Sequence, residues 1–290
     1  MKIGKKSPGE GREDRVYRYV LAGTAVLWAI LLGLATVWDL QATEALYNPS
    51  SGIGRFCNIF GGWPAAFCGL VAPALFAETY PFRKGARGVA AKCALYALSA
   101  GGGTAVIYVP GHYAYHTRLS PLVVLLGGLL AVLVVMAAQR LPRRLHETAW
   151  RVALAVFLAL LFELFMVNTL KHVWGRERFI QMRNPAGEFT PWFRVGPPDG
   201  GRSFPSGHTG NAAMIFAAVG LARFPGMKRL RLPLFFAALG WTVFVGIGRM
   251  VAGMHFPSDV LMSALISGGG CLFMDGWMFR RRTKESVGYD

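Results

Sequence analysis

Eight apolar stretches, near 18–37, 58–79, 89–109, 121–139, 152–170, 209–224, 233–248 and 257–279, approach the roughly 20 residues a helix needs to cross a bilayer. In hydrocarbon the backbone must satisfy its own polar groups, which leaves helices and closed barrels. These runs are continuously apolar rather than alternating, so they predict helices. The expected fold is all-α, a polytopic transmembrane helix bundle of about eight spans. With 53% hydrophobic and 16% charged residues, the chain has no stretch polar enough for a separate soluble domain.

A net charge of +16 raises the question of a nucleic-acid partner, which requires cations gathered on one solvated face. Here they punctuate the gaps between apolar runs, so no nucleic acid is expected. The basic groups are Lys2, Lys5, Lys6, Arg12 and Arg15; Arg83, Lys84 and Arg87; Arg140, Arg143, Arg144 and Arg151; Lys228, Arg229 and Arg231; and Arg280, Arg281, Arg282 and Lys284. They fall in every second connection, and the positive-inside rule then places both termini in the cytoplasm. No small-residue cleavage site follows the first group, so the first span is expected to be retained. Cys57, Cys68, Cys93 and Cys271 lack metal-ligand spacing and read as unpaired packing residues.

The segments 38–57, 110–120, 171–208 and 249–256 are left facing outward. The third carries Lys171, Arg176, Arg178, Arg183, Arg194 and Arg202 on the side cations avoid, which calls for an anionic ligand. The chemistry-bearing residues all reach that side. Lys171 and Arg178 end the fifth helix, Pro205-Ser206-Gly207-His208 opens the sixth, and Arg249, His255 and Asp259 bracket the turn between the seventh and eighth.

A phosphate group asks for cations and N–H donors, and its transfer is mostly positioning and charge stabilisation. Lys171, Arg178 and Arg249 supply the cations. Ser206 and Gly207 supply a hydroxyl and a close backbone approach at a helix start. Asp259, four residues beyond His255, can fix the imidazole tautomer so that His255 attacks phosphorus, while His208 serves as acid and base. Taken singly, each of these is an ordinary interfacial or core residue; together they describe phosphoryl transfer. Arg176 and Arg202 are weaker candidates for phosphate contact. His112, His116 and His172, with Trp63, Trp174 and Trp192, read as interfacial residues without a catalytic role. Glu163 reads as a buried helix contact, and Gly101–Gly103 and Gly268–Gly270 as close-packing positions.

The three patterns resemble the motifs of the type 2 phosphatidic acid phosphatase superfamily over roughly residues 150–280: Lys-(six)-Arg-Pro, Pro-Ser-Gly-His and Ser-Arg-(five)-His-(three)-Asp. The resemblance implies phosphate binding by Lys171, Arg178, Ser206, Gly207 and Arg249. It also implies a His255 nucleophile oriented by Asp259, His208 as acid/base, and neither metal nor other cofactor. Phe179 stands where the family has Pro, and Gly248 where it has Ser. The expected organisation is N-terminal membrane helices over 1–150, with an extra helix pair relative to the family core; catalytic helices over 151–280; and a cytoplasmic tail, 281–290.

The expected function is an integral membrane lipid phosphatase in a bacterial inner membrane, its site facing the periplasm or exterior, working through a phosphohistidine. The resemblance offers undecaprenyl pyrophosphate, phosphatidylglycerophosphate, phosphatidate and lipid A phosphates as substrates. The alternatives are a phosphotransferase passing the group from His255 to a second lipid, and a non-catalytic lipid-phosphate binder or transporter. Loop 180–204 is expected to carry head-group selectivity.

Overall fold

The computed structural model describes residues 8–197 and 200–285; Lys2, Lys5 and Lys6 of the first basic group, Pro198 and Asp199, and tail residues 286–290 lie outside the described residues. The described chain is helical without strands. Its helices are α1 (Pro8–Leu46), α2 (Gly52–Phe60), α3 (Trp63–Thr79), α4 (Ala86–Tyr115), α5 (Pro121–Gln139), α6 (His146–Trp174), the single turn α7 (Pro185–Glu188), α8 (Gly207–Ala213), α9 (Arg231–Val251) and α10 (Pro257–Glu285).

Seven helical stretches, rather than the expected eight, are long and apolar enough to cross a membrane among the described residues. The missing one is the run at 209–224, which is divided between the end of α8 and a 3-10 stretch, Met214–Arg223. A 3-10 helix rises about 2.0 Å per residue against about 1.5 Å in an α-helix, so these two short pieces still reach about 30 Å. They run the length of the bundle beside α10. His208 lies at one end, and at the other Arg223 holds Asp275 of α10 at 2.6 Å.

That second end is knitted by charge. Asp14 of α1 takes Lys228 at 3.0 Å and Arg231 at 3.3 Å, tying the first helix to the entry of α9. Further along α1, Ala35, Asp39 and Thr43 are buried at four-residue spacing, one stripe of a helix that otherwise faces outward. α1 continues well past the apolar run at 18–37, and this extension carries Asp39 and Thr43 over the opposite end of the bundle.

α3, α4 and α5 pack as a trio, and α3 docks it on α6. The α3–α4 crossing is close enough that a Cβ on Gly102 would stand 2.6 Å from the Gly69 carbonyl oxygen, and Ser99 Oγ donates to the Leu70 carbonyl at 2.7 Å. Backbones this near are the usual consequence of small residues in a membrane interface. All four cysteines are free thiols.

Candidate active site

α10 begins with Pro257 and Ser258, and Asp259 in its first turn points back toward the residues just ahead of it. Asp259 is fully buried, and its Oδ2 accepts the Phe256 N–H at 2.9 Å and the Ser203 hydroxyl at 2.5 Å. Its Oδ1 accepts Arg176 Nη1 at 2.6 Å. His255 Nδ1 stands 3.5 Å from Oδ2, longer than a formed hydrogen bond, and has no hydrogen-bond partner among the described residues. Three fixed donors therefore hold the carboxylate, and the carboxylate in turn faces the imidazole. Nδ1 is the nitrogen turned toward a negative charge, so it carries the hydrogen and Nε2 keeps the free lone pair.

Arg176 is fully buried and makes no turn toward a phosphate site. It donates to Asp39 at 2.9 Å, Asp259 at 2.6 Å, the Ser258 hydroxyl at 2.8 Å and the Thr190 carbonyl at 2.8 Å, and it lies over the Phe256 ring at 4.2 Å. The weak assignment of Arg176 to phosphate is corrected: two carboxylates and two further acceptors use its donors. Asp39 also accepts the Ser258 N–H at 2.8 Å and pairs with the Ser258 hydroxyl. A buried Asp39–Arg176–Asp259 chain thus links α1 to the start of α10.

On the other flank, α2 sets Asn58 between two site residues. Asn58 Oδ1 accepts Arg249 Nη1 at 2.6 Å, and its carbonyl oxygen lies 3.1 Å from His208 Nε2. A carbonyl only accepts, so Nε2 of His208 carries hydrogen and Nδ1 is left to exchange a proton. Tyr113 of α4 meets the His208 ring edge-on at 4.9 Å.

The cations converge as expected. Lys171 lies within electrostatic reach of Arg178, Arg249, Arg202 and Asp259, and Arg249 within reach of Arg178. Lys171 Nζ donates to the Arg202 carbonyl at 3.1 Å, and its Cε passes over Gly207 so closely that a Cβ there would stand 3.2 Å away. Arg178 Nε and Arg249 Nε are buried without an acceptor among the described residues. Lys171, Arg178 and Arg249 thus gather at one end of the bundle with donors unspent among the described residues, a geometry that can receive an anion. Arg202 is exposed beside them.

Ser206 behaves differently. Its Oγ caps α8, accepting the Thr209 N–H at 3.3 Å and lying 2.9 Å from Thr209 Oγ1. Its oxygen accepts in the cap, which does not use up its hydroxyl hydrogen, while its own N–H donates to the Asp259 carbonyl at 3.1 Å. That bond ties the second motif to the third.

Burial shifts both histidines in the same direction. His255 is pushed well below the usual imidazole range, by desolvation first, with Lys171 and Arg249 adding repulsion against the opposing pull of Asp259. His208 is lowered too, by desolvation and then by Arg249 and His255. Both imidazoles are neutral at neutral pH.

Glu163 is buried within electrostatic reach of Lys171, its Oε1 near Gly210 beside Ser267 Oγ, where it packs α6 against α8 and α10. The loop 180–204 packs behind the site: Trp174 Nε1 donates to the Trp192 carbonyl at 2.6 Å, and Trp192 Nε1 to Thr36 Oγ1 of α1 at 3.1 Å. Phe179, in place of the family's Pro, packs on Tyr47 at 5.1 Å, so an aromatic contact with the end of α1 braces the segment after Arg178.

Residues 149–283 match the family model of the PAP2 superfamily, and this interval contains every motif residue described above. That interval, just under half of the chain, belongs to the PAP2 superfamily. The PAP2 match and the long apolar helices support an integral membrane protein carrying a phosphatase-type region. No curated protein and no solved structure gives a significant match. The matched PAP2 interval begins within α6, so α1 to α5, with Asp39, Asn58 and Tyr113, lie outside it. Sequence reading missed all three. Asp39 had one visible signal, a carboxylate adjoining an apolar run; Asn58 and Tyr113 had none.

Proposed function

We propose that this protein hydrolyses a lipid phosphate or pyrophosphate at the outer leaflet through a phosphohistidine on His255. The observation that carries the proposal is the held pair His255–Asp259 facing His208 within a ring of Lys171, Arg178 and Arg249. In the first step His255 Nε2 forms a bond to phosphorus as the bond to the leaving oxygen breaks, and His208 delivers its proton to that oxygen. In the second step His208 takes a proton from water, whose oxygen displaces the histidine and releases inorganic phosphate. The cations bear the charge on the transferring group. A substrate whose tail stays in lipid brings its head to this end of the helices. With the basic connections inside, that end faces the periplasm or exterior of a bacterial inner membrane.

Phosphate release by detergent-purified protein, measured with EDTA across undecaprenyl pyrophosphate, phosphatidylglycerophosphate, phosphatidate and lipid A phosphates, tests the reading. Release that survives EDTA supports it. Label passed from donor to a second lipid instead of to water would point to the transferase.

The shifted histidines set a pH expectation. Chemistry needs His255 neutral and His208 protonated, and His208 has been lowered from about 6.5, so kcat/KM should peak on the acid side of about pH 6.5 and decline above it. The stability sign is separate. Depressed histidines bind fewer protons folded than unfolded, so stability is intact above about pH 6.5 and is lost as pH falls below it. Initial rates and thermal midpoints across pH 4–9 (about that range, bracketing the imidazole) measure both; a kcat/KM that rises steadily through pH 8 contradicts the acid/base assignment.

A further inference from the structure

The family's third motif has a serine immediately before its arginine, and this chain has Gly248. The structure supplies a reason. α2 packs against α9 at that point, and a Cβ on Gly248 would stand 2.6 Å from Cys57 Cβ, with the Cys57 sulfur closer still. The space on that side of Gly248 is taken by Cys57, which is fully buried. A serine here would have nowhere to go. Asn58, the residue next to Cys57, is the one that reaches Arg249.

We infer that the Asn58 side-chain amide contacts the phosphate of the substrate, supplying the donor that the motif serine supplies elsewhere; this rests on the phosphatase reading above. The orientation of the amide follows from its neighbours. A guanidinium only donates, so the oxygen faces Arg249 at 2.6 Å and the Nδ2 hydrogens turn the other way. Nδ2 donates to nothing among the described residues, and Asn58 is only half-buried, so those hydrogens are accessible. Its main-chain oxygen is at His208 and its side chain at Arg249, which places the amide between the proposed acid/base and one of the proposed phosphate cations. α2 therefore removes one donor by filling the serine's place and brings another.

A role limited to holding Arg249 predicts something different from phosphate contact, and aspartate separates the two. Asn58→Asp keeps an oxygen for Arg249 and strengthens that pairing, but it removes the Nδ2 donors and sets a negative charge beside the phosphate. Inhibition by orthovanadate, a phosphate mimic, is the readout, with thermal unfolding as the check on folding. The expected result is an inhibition constant raised at least about 10-fold in both Asn58→Asp and Asn58→Ala, with the thermal midpoint of the Asp variant near wild type. An Asp variant that binds vanadate like wild type overturns the assignment and leaves Asn58 a support for Arg249. Should both variants fail to fold, a structure of the wild-type protein with vanadate decides: Nδ2 within about 3.2 Å of a vanadate oxygen supports the contact, and a separation beyond hydrogen-bond reach overturns it. Wild-type protein that binds vanadate but releases phosphate from no lipid counts against the phosphatase reading, while the comparison between variants still decides the role of Asn58.

Discussion

Replacing His255 with alanine should abolish phosphate release, by at least about 10⁴-fold in kcat, the scale seen when a covalent nucleophile is removed from an otherwise intact site. The loss should not come from unfolding. His255 Nδ1 makes no close hydrogen bond, and Asp259 keeps its three donors Arg176, Ser203 and the Phe256 N–H without it. Labelled substrate gives a direct test, because a phosphohistidine survives alkaline quenching; wild-type protein should retain label and the His255→Ala protein should not. Asp259→Asn should lower kcat by about 10³- to 10⁴-fold, since an amide can present N–H to the ring and select the wrong tautomer. Label retained by His255→Ala would falsify the assignment of the nucleophile.

Asp39→Ala should give the largest loss of stability, about 3–5 kcal/mol, together with a fall in activity. Asp39 is nearly fully buried and is the second carboxylate on Arg176. Without it, one face of the guanidinium, the Ser258 N–H and the Ser258 hydroxyl lose their acceptor in a place closed to water. The same cut loosens the start of α10, where Asp259 is positioned, so kcat should drop about 10-fold even in protein that remains folded. Asp39→Asn, which keeps an acceptor oxygen, should cost less on both counts. Thermal unfolding and phosphate release in detergent measure the two effects. An alanine variant with wild-type stability and rate would mean that α1 is no part of the catalytic support.

Much of the fold was legible because a bilayer is a simple solvent. Apolar runs of about 20 residues must become helices there, and all but one of them form helices of spanning length. The exception at 209–224 misled by composition: its residues are as apolar as the rest, but the chain stretches into a 3-10 helix and covers the distance with fewer residues. The motif residues were legible for another reason. Lys171, Arg178, His208, Arg249, His255 and Asp259 keep spacings that reflect where helices end, and helix ends on one face must meet.

The illegible part is the support. Arg176 lies among the outward cations and looks like a phosphate ligand in sequence, yet two buried carboxylates use it, one of them 137 positions away in the chain. Gly248 reads as the loss of a serine, and only the packing of α2 shows Cys57 in its place and Asn58 beside it. Ser206 reads as a donor, and the fold shows that its oxygen also caps α8. The sequence by itself determined the solvent, the helices and which motif residues share one end of the bundle, because hydrophobicity and short-range spacing are local properties. Only the tertiary structure decided which charges neutralise one another and which donors remain for a phosphate, because burial and hydrogen bonding are settled between helices that are remote in the chain.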